Sequence, residues 1–203
     1  MDVNQILKSL QVNNMEAYFV NNKEELINKL ENLLTGVSTI SVGGSMTLFE
    51  AGVIDYIRNE NFQFLDRYQE GLSPDQIQDI YRNSFLVDAY ITSTNALTEK
   101  GELYNIDGNG NRVAAMIYGP KNVIVIAGKN KIVKNLEEAK ERLRTIAAPK
   151  NAVRLNRNTP CAKLGYCTDC KSPDSICSSY VVLARQSKKN RIKVIIVNEN
   201  LGY

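Results

Sequence analysis

The most informative stretch lies mid-chain, where residues 88–131 read DAYITSTNALTEKGELYNIDGNGNRVAAMIYGPKNVIVIAGKNK. Three apolar runs in it predict β-strands: Ala89–Ile91, Val113–Tyr118 and Val123–Ala127. Polar residues cluster at the ends of these runs. In an open α/β sheet the strand ends direct loop groups into one crevice. The stretch therefore predicts a sheet and, at its edge, a ligand site.

Six residues with amide or charged side chains are expected to lie together in this crevice. They are Asn95 and Glu99 after the first run, Asn111 and Arg112 before the second, and Asn130 and Lys131 after the third. Turns at Asp107-Gly108 and Gly119-Pro120 between ordinary core strands would explain the glycines. Such turns do not require the polar residues as well, so a site is the preferred interpretation.

Three charged residues in this set have predicted roles. Arg112 is expected to clamp a carboxylate or phosphate, because its planar fork can donate two parallel hydrogen bonds. Glu99 is the predicted acid–base or nucleophilic group, and Lys131 would balance the charge of Glu99 or of the substrate. The alternative is that Glu99 and Arg112 pair with each other or hold a hairpin.

The segment TNALTEKGELYNIDGNGNRVAAMIYGPKNVIVIAGKNKIV, residues 94–133, closely resembles the LUD-domain family of lactate-utilisation proteins, which includes the LutC-like proteins. The resemblance extends over nearly the whole chain. It implies a single Rossmann-like α/β domain of the ribose-5-phosphate isomerase and CoA transferase type. It also implies a role in using lactate or a related organic acid, together with iron–sulfur oxidoreductase subunits.

A glycine-rich loop earlier in the chain is a second candidate for anion binding. A strand predicted over Val37–Val42 runs into Gly43-Gly44-Ser45 and then a helix. Glycines let a ligand approach the backbone, the helix start offers free N–H groups, and Ser45 and Thr47 could add hydroxyls. The alternative is a tight turn with Ser45 as N-cap. In the related isomerases and transferases the corresponding loop contacts phosphate or CoA. Asp66-Arg67 could reach the same crevice or form a local ion pair.

Four cysteines lie close together near the C-terminus. They are Cys161, Cys167, Cys170 and Cys177, with the spacing C-x5-C-x2-C-x6-C. A Cys-x-x-Cys turn points both sulfurs at one metal, and two further thiols would complete four ligands for zinc or an iron–sulfur cluster. The spacing matches neither a ferredoxin nor a zinc ribbon. Free thiols, or a redox pair at Cys167 and Cys170, are the alternatives.

Composition excludes several classes of function. The 203 residues are 43% hydrophobic and 23% charged, as in an ordinary globular domain. A net charge of +3 does not favour nucleic-acid binding. The chain contains no histidine, which excludes a Ser-His-Asp triad, a Cys-His pair and every His-ligated metal site.

The sequence also predicts a location. No apolar run approaches the ~20 residues that a membrane span needs. The first residues lack the basic start and apolar middle of a signal peptide. We therefore expect a cytoplasmic protein, in which cysteines are thiols or ligands rather than disulfides.

The chain divides into four consecutive parts. These are N-terminal helices over 1–36, an α/β core over 37–150, a cysteine-rich loop over 151–179 and terminal strands over 180–203. A helix over Asn135–Ala148 is expected to end at Pro149. The last strands, Tyr180–Ala184 and Lys193–Val197, are expected to be neighbours.

Three functions are open from the sequence. The first is a LUD-family protein of organic-acid utilisation that acts with oxidoreductase subunits. The second is a stand-alone isomerase- or CoA-transferase-like enzyme, with Glu99 as base or nucleophile and Gly43-Gly44-Ser45 holding phosphate. The third is a non-catalytic assembly or regulatory module. Only the second predicts turnover by the purified chain.

Overall fold

The structure is a computed structural model that describes residues 2–203. The strands are β1 (Glu16–Val20), β2 (Thr39–Val42), β3 (Gln63–Leu65), β4 (Ala89–Thr92), β5 (Ala96–Thr98), β6 (Leu103–Asp107), β7 (Asn122–Gly128), β8 (Ile132–Val133), β9 (Ser179–Leu183) and β10 (Ile192–Val197). The α-helices are α1 (Val3–Val12), α2 (Lys23–Leu33), α3 (Met46–Glu50), α4 (Val53–Asn59), α5 (Pro74–Asn83), α6 (Asn111–Tyr118), α7 (Leu136–Arg142), α8 (Ala148–Arg154) and α9 (Pro160–Leu164). Within residues 2–203 no helix is long and apolar enough to cross a membrane.

The main sheet has six parallel strands in the order β1-β10-β7-β4-β2-β3. Its inner strands are covered on both faces, so they need continuous apolar runs. In β7, Ile124 and Ile126 pack with α2, α3 and α4 on one face, while Val123 and Val125 pack with α1 and α6 on the other. The predicted α/β class is confirmed, as is the strand predicted over Val123–Ala127.

A smaller sheet lies beside the main one, in the order β8-β5-β6-β9. Strand β6 pairs antiparallel with both β5 and β9, and β5 pairs parallel with β8. Leu97, Leu103 and Leu183 of this sheet pack into the same apolar cluster as Tyr90 and Val125 of the main sheet. The polar segment between β4 and β5 is therefore held at the junction of the two sheets.

The sequence predicted only helices over residues 1–36, but this part also contains a strand. Strand β1 lies between α1 and α2 and forms an edge of the main sheet against β10. A strand of five residues is too short to show a clear periodicity. Its pairing partner is also distant in sequence, since Glu16 pairs with Lys193, 177 residues later. The predicted cap of α2 is confirmed, because the Asn22 side chain accepts a hydrogen bond from Glu25 N.

The strand predicted over Val113–Tyr118 is wrong, since these residues belong to α6. Gly110 precedes the helix with φ of 78°, and its N–H donates to Asp107 Oδ1 at 2.9 Å, which turns the chain into the helix. Short apolar runs are ambiguous between strand and buried helix. Here the good helix formers Ala114, Ala115 and Met116 agree with the observed helix.

Pro149 does not end the helix that precedes it, contrary to expectation. A π-helical turn over Leu143–Ala147 joins α7 to α8, and Pro149 lies in the first turn of α8. A first-turn position needs no intrahelical N–H donor, so proline is tolerated there. The helix consequently continues to Arg154, so Asn151 and Arg154 are helical residues.

The two C-terminal strands are not neighbours, so that prediction is also wrong. Strand β9 pairs with β6 in the small sheet, whereas β10 lies between β1 and β7 in the main sheet. Their burial differs accordingly, because Tyr180 and Val182 of β9 are exposed while β10 is almost fully buried. A strand inside a parallel sheet is covered on both faces, and a one-sided sheet is not.

Arg191, directly before β10, holds the C-terminal end of α6. Its guanidinium donates to the carbonyl oxygens of Ala115 (3.1 Å), Met116 (2.8 Å) and Pro120 (2.9 Å). The last carbonyls of a helix have no intrahelical donor, so a buried helix end needs one from elsewhere. Arg191, at 8% exposure, supplies it.

We therefore expect Arg191→Met to lower the free energy of unfolding by about 2–3 kcal/mol, because buried carbonyls lose charged donors. Urea denaturation followed by circular dichroism measures the change. Arg185→Met, at an exposed position six residues before Arg191, is the matched control. Equal losses for the two variants would contradict this role of Arg191.

Candidate functional site

A polar cavity of about 170 Å³ lies at the C-terminal ends of β2, β4 and β6, and we call it the strand-end cavity. Its charged lining residues are Arg67, Asp107, Arg112, Lys131, Arg154 and Arg157. Five of these six residues are basic, so the charge of the lining favours the binding of an anion. The predicted position of the site, at the strand ends of an α/β sheet, matches this cavity.

The glycine loop after β2 forms one wall. Gly43 N donates to Ile91 O at 2.9 Å, and a Cβ on Gly43 would collide with Thr92 Oγ1, so Gly43 is fixed by sheet packing. Gly44 and Ser45 line the cavity. Ser45 occupies the N-cap position of α3, but its side chain makes no capping hydrogen bond. The alternative of a capping serine is therefore wrong.

Arg67 faces this loop from the segment after β3. Its Nη1 lies 3.3 Å from the position that a Cβ on Gly44 would take. Its Nη2 donates to Tyr81 Oη at 2.6 Å, and the guanidinium stacks over the rings of Tyr68 and Tyr81. Asp66 pairs instead with Arg58 at 2.8 Å. Arg67 thus has a fixed plane and no carboxylate partner within residues 2–203.

Lys131 reaches the cavity from a 3₁₀ turn over Lys129–Lys131. It is 3% exposed, and its Nζ donates to Thr47 Oγ1 (2.7 Å), Ser93 Oγ (2.9 Å) and Thr94 O (3.1 Å). Burial, followed by the nearby charges of Arg142 and Arg112, lowers the pKa of Lys131 to about 7. Both protonation states are therefore populated near neutral pH, as acid–base catalysis requires.

Arg112 lines the cavity, but it does not have the free fork that the sequence predicted. Its five N–H groups already donate inside the protein: Nε to Asp107 Oδ2 (3.1 Å), Nη1 to Ser93 O (3.0 Å) and Asn105 Oδ1 (2.7 Å), Nη2 to Asn95 Oδ1 (3.0 Å) and Ile106 O (2.8 Å). No donor remains for a ligand. The role of carboxylate or phosphate clamp is therefore wrong for Arg112, and its ionic partner is Asp107 rather than Glu99.

Two other predicted site residues lie away from the cavity. Glu99 is exposed in the tight turn between β5 and β6 and is not part of the cavity wall. Asn130 holds the C-terminal tail, because its side chain accepts from Leu201 N (3.0 Å) and donates to Gly202 O (3.1 Å). The cavity does bring together Gly44, Ser45, Thr47, Asn95, Asn111, Arg112 and Lys131.

The sequence did not predict the third wall, which comes from the end of α8. Asn151, Arg154 and Arg157 line the cavity there, and Tyr203 joins them through a hydrogen bond from its Oη to Asn151 Oδ1 (3.3 Å). Arg157 pairs with Asp174 at 3.2 Å. The only sequence signal for this wall was the group of basic residues in KNAVRLNR, residues 150–157. Because the helix was expected to end at Pro149, these residues were assigned to the loop that follows the core.

Comparison with known proteins agrees with this architecture. The family model that describes the LUD domain matches residues 3–197 of the sequence. The chain belongs to the LUD-domain family. The crystal structure of a DUF162 family protein from Deinococcus radiodurans superposes on this LUD domain with a TM-score of 0.57 at 16% identity, covering 97% of this chain and 96% of that one. Such a likeness shows a shared fold only. A search of curated proteins found no match.

All four cysteines of this LUD domain line a second cavity of about 230 Å³, which we call the cysteine cavity. None forms a disulfide. Burial raises the pKa of the Cys177 thiol to about 11. Within residues 2–203, no three Cys, Asp or Glu side chains converge closely enough to hold a metal ion. The thiols therefore surround a space rather than a point.

The saturated hydrogen bonding of Arg112 predicts a structural role. We expect Arg112→Lys to lower the free energy of unfolding by about 2–4 kcal/mol, because an ammonium has three donors and leaves buried acceptors unpaired. Arg82→Lys is the control, since Arg82 also pairs with an aspartate but is 72% exposed. A change at Arg112 no larger than at Arg82 in urea denaturation would contradict the prediction.

The lowered pKa of Lys131 predicts a pH dependence of stability. An unfolded lysine keeps its proton up to about pH 10.5, whereas the folded group loses it near pH 7. Between these values the unfolded state binds more protons, so the free energy of unfolding rises with pH, by up to about 1.4 kcal/mol per unit. Below pH 7 both states are protonated and this contribution is constant.

The measurement is the free energy of unfolding of the protein minus that of Lys131→Met, at about pH 5, 6, 7.5 and 9. We expect this difference to be constant below pH 7 and to grow above it. The same comparison with Lys129→Met, at the exposed end of the same turn, should show no comparable rise. A difference for Lys131→Met that is independent of pH is the contradicting result.

Proposed function

We propose that this LUD-domain protein binds a small organic acid or phosphorylated acid in the strand-end cavity. We further propose that it functions in the cytoplasmic utilisation of lactate or a related acid, together with oxidoreductase subunits. The observation that carries the proposal is the basic cavity, in which Arg67 has a fixed guanidinium plane with no carboxylate partner. The family's known members in lactate utilisation support the substrate class.

Arg67 is the proposed anchor for the anionic group, in place of Arg112. Its Tyr81 hydrogen bond and its stacking on Tyr68 fix the guanidinium before a ligand arrives, which lowers the entropic cost of binding. Gly44 and Ser45 face the same space and offer close approach to the backbone and a hydroxyl that caps no helix. A carboxylate or phosphate between Arg67 and this loop would meet donors from two sides.

Lys131 is the proposed acid–base group, in place of Glu99. A group with a pKa near 7 can accept or release a proton at working pH, and Lys131 lines the cavity that would hold the acid. Its hydrogen bonds to Thr47 and Ser93 fix the amine. In a 2-hydroxy acid anchored by its carboxylate, the adjacent hydroxyl is the group on which such a base would act.

The alternative is a stand-alone isomerase- or CoA-transferase-like enzyme, which the inferred Rossmann-like relationship to those enzymes would permit. The neutral amine of Lys131 favours proton-transfer chemistry of the isomerase kind. A carboxylate nucleophile is harder to supply, because Asp107, the acidic residue among the cavity lining, already accepts from Arg112 and Gly110 N. A non-catalytic module predicts ligand binding without any turnover. Assays of the purified chain, with and without oxidoreductase subunits, distinguish these functions.

The binding proposal is tested by calorimetric titration of the purified protein with L-lactate, pyruvate and inorganic phosphate. At least one anion should bind, and Arg67→Gln should weaken that binding roughly 10- to 100-fold, because it removes charged hydrogen bonds to the ligand. Gly44→Val should also weaken it, since the added side chain meets Arg67. Glu99→Gln is the matched control and should bind as the unaltered protein does.

Two results would overturn the proposal. One is the absence of binding for all three anions at low salt. The other is anion binding that Arg67→Gln leaves unchanged while Arg67→Gln remains folded by circular dichroism.

A further inference from the structure

The cysteine cavity lies outside the strand-end cavity and is built from distant parts of one segment. Cys161 comes from α9, Cys167 and Cys170 from the loop after it, and Cys177 from the approach to β9. The segment therefore folds back so that all four cysteines line one cavity.

The arrangement of the thiols bears on which kind of metal centre they could hold. A tetrahedral zinc with Zn–S bonds of ~2.3 Å holds its sulfurs roughly 3.8 Å apart around one point. No such convergence of three ligands is found within residues 2–203. An iron–sulfur cluster contains its own sulfides and has volume, so its four cysteine ligands stand farther apart around a hollow. The cavity of about 230 Å³ agrees with the second geometry.

The turn that carries Cys167 and Cys170 is held in place before any metal binds. Asp169 adopts φ of 53°, and its N–H donates to Cys167 Sγ at 3.4 Å. The Asp169 carboxylate pairs with Arg144, and Cys167 N donates to Arg144 O at 2.8 Å. N–H donors to sulfur stabilise thiolate ligands of clusters and tune their potential. The π-helical turn thus anchors the Cys-x-x-Cys loop.

Few apolar residues hold the rest of the segment. Its small core consists of Ala152, Cys161 and Ile176, with Ala162 and Cys177 packed against them. Two of these five are themselves cysteines of the cavity. A segment with so little core is ordered efficiently by a metal centre, since binding energy then contributes to folding energy.

We propose that the four thiols of the cysteine cavity together ligate one iron–sulfur cluster. Its site is independent of the proposed anion site, although Ile176 contributes to the walls of both cavities. A cluster held by these thiols would be separated from the strand-end cavity by the segment around Ile176, which lines both cavities.

The test is anaerobic purification, or reconstitution with iron and sulfide, followed by iron and sulfide analysis and visible absorbance. Two or four iron atoms per chain, with matching sulfide, are expected. Cys170→Ser and Cys177→Ser should each lose most of the bound iron. Tyr180→Phe is the matched control, because Tyr180 lines the same cavity without a thiol and should retain the cluster.

Alkylation provides a readout that needs no variant. In the loaded protein all four thiols should be protected from iodoacetamide, and chelation of the iron should expose them. One zinc per chain with no iron after reconstitution would overturn the proposal. So would a Cys167–Cys170 disulfide that forms while iron is absent and blocks its uptake, or four thiols that remain alkylatable after reconstitution.

Discussion

The buried charge of Arg112 is the constraint on which the rest of the site depends. A guanidinium at 8% exposure is tolerated only if its donors are satisfied, because an unpaired buried charge is strongly destabilising. Here five acceptors supply that pairing, three from β6 and two from the loop between β4 and β5. The side chain therefore fixes the distance between two sheets and the start of a helix, and the cavity is the space left between these elements.

The same charge acts on the chemistry without touching a ligand. Arg112 and Arg142 both lower the pKa of Lys131, in addition to the larger effect of burial. A structural arginine thus keeps a neighbouring lysine partly neutral, which is the form that accepts a proton. Arg67 remains as the guanidinium whose position suits an anionic group. One arginine holds the walls of the site together, and another is the proposed anchor for the anion.

The sequence predicted what depends on local pattern and missed what depends on distant partners. The β-branched run of β7 and the cap of α2 are local signals, and both agree with the structure. Strand β1 becomes a strand through pairing with β10, at the other end of the chain. Glu99 was placed in the crevice by its distance from a strand end, but a tight turn directs it to solvent. The saturation of Arg112 required knowing where Ser93 and Asn105 lie, and spacing does not give this.

Helix α8 connects the two cavities, which neither the glycine loop nor the cysteine spacing had indicated. Ala148 at its start lines the cysteine cavity, whereas Asn151 and Arg154 along it line the strand-end cavity. The preceding π-helical turn anchors the Cys-x-x-Cys loop through Arg144 and leads directly into this helix. The Arg157–Asp174 pair makes a second connection, between the segment that carries the cysteines and the basic wall of the strand-end cavity. The two cavities are thus separate spaces joined by one helix, one ion pair and the shared wall residue Ile176.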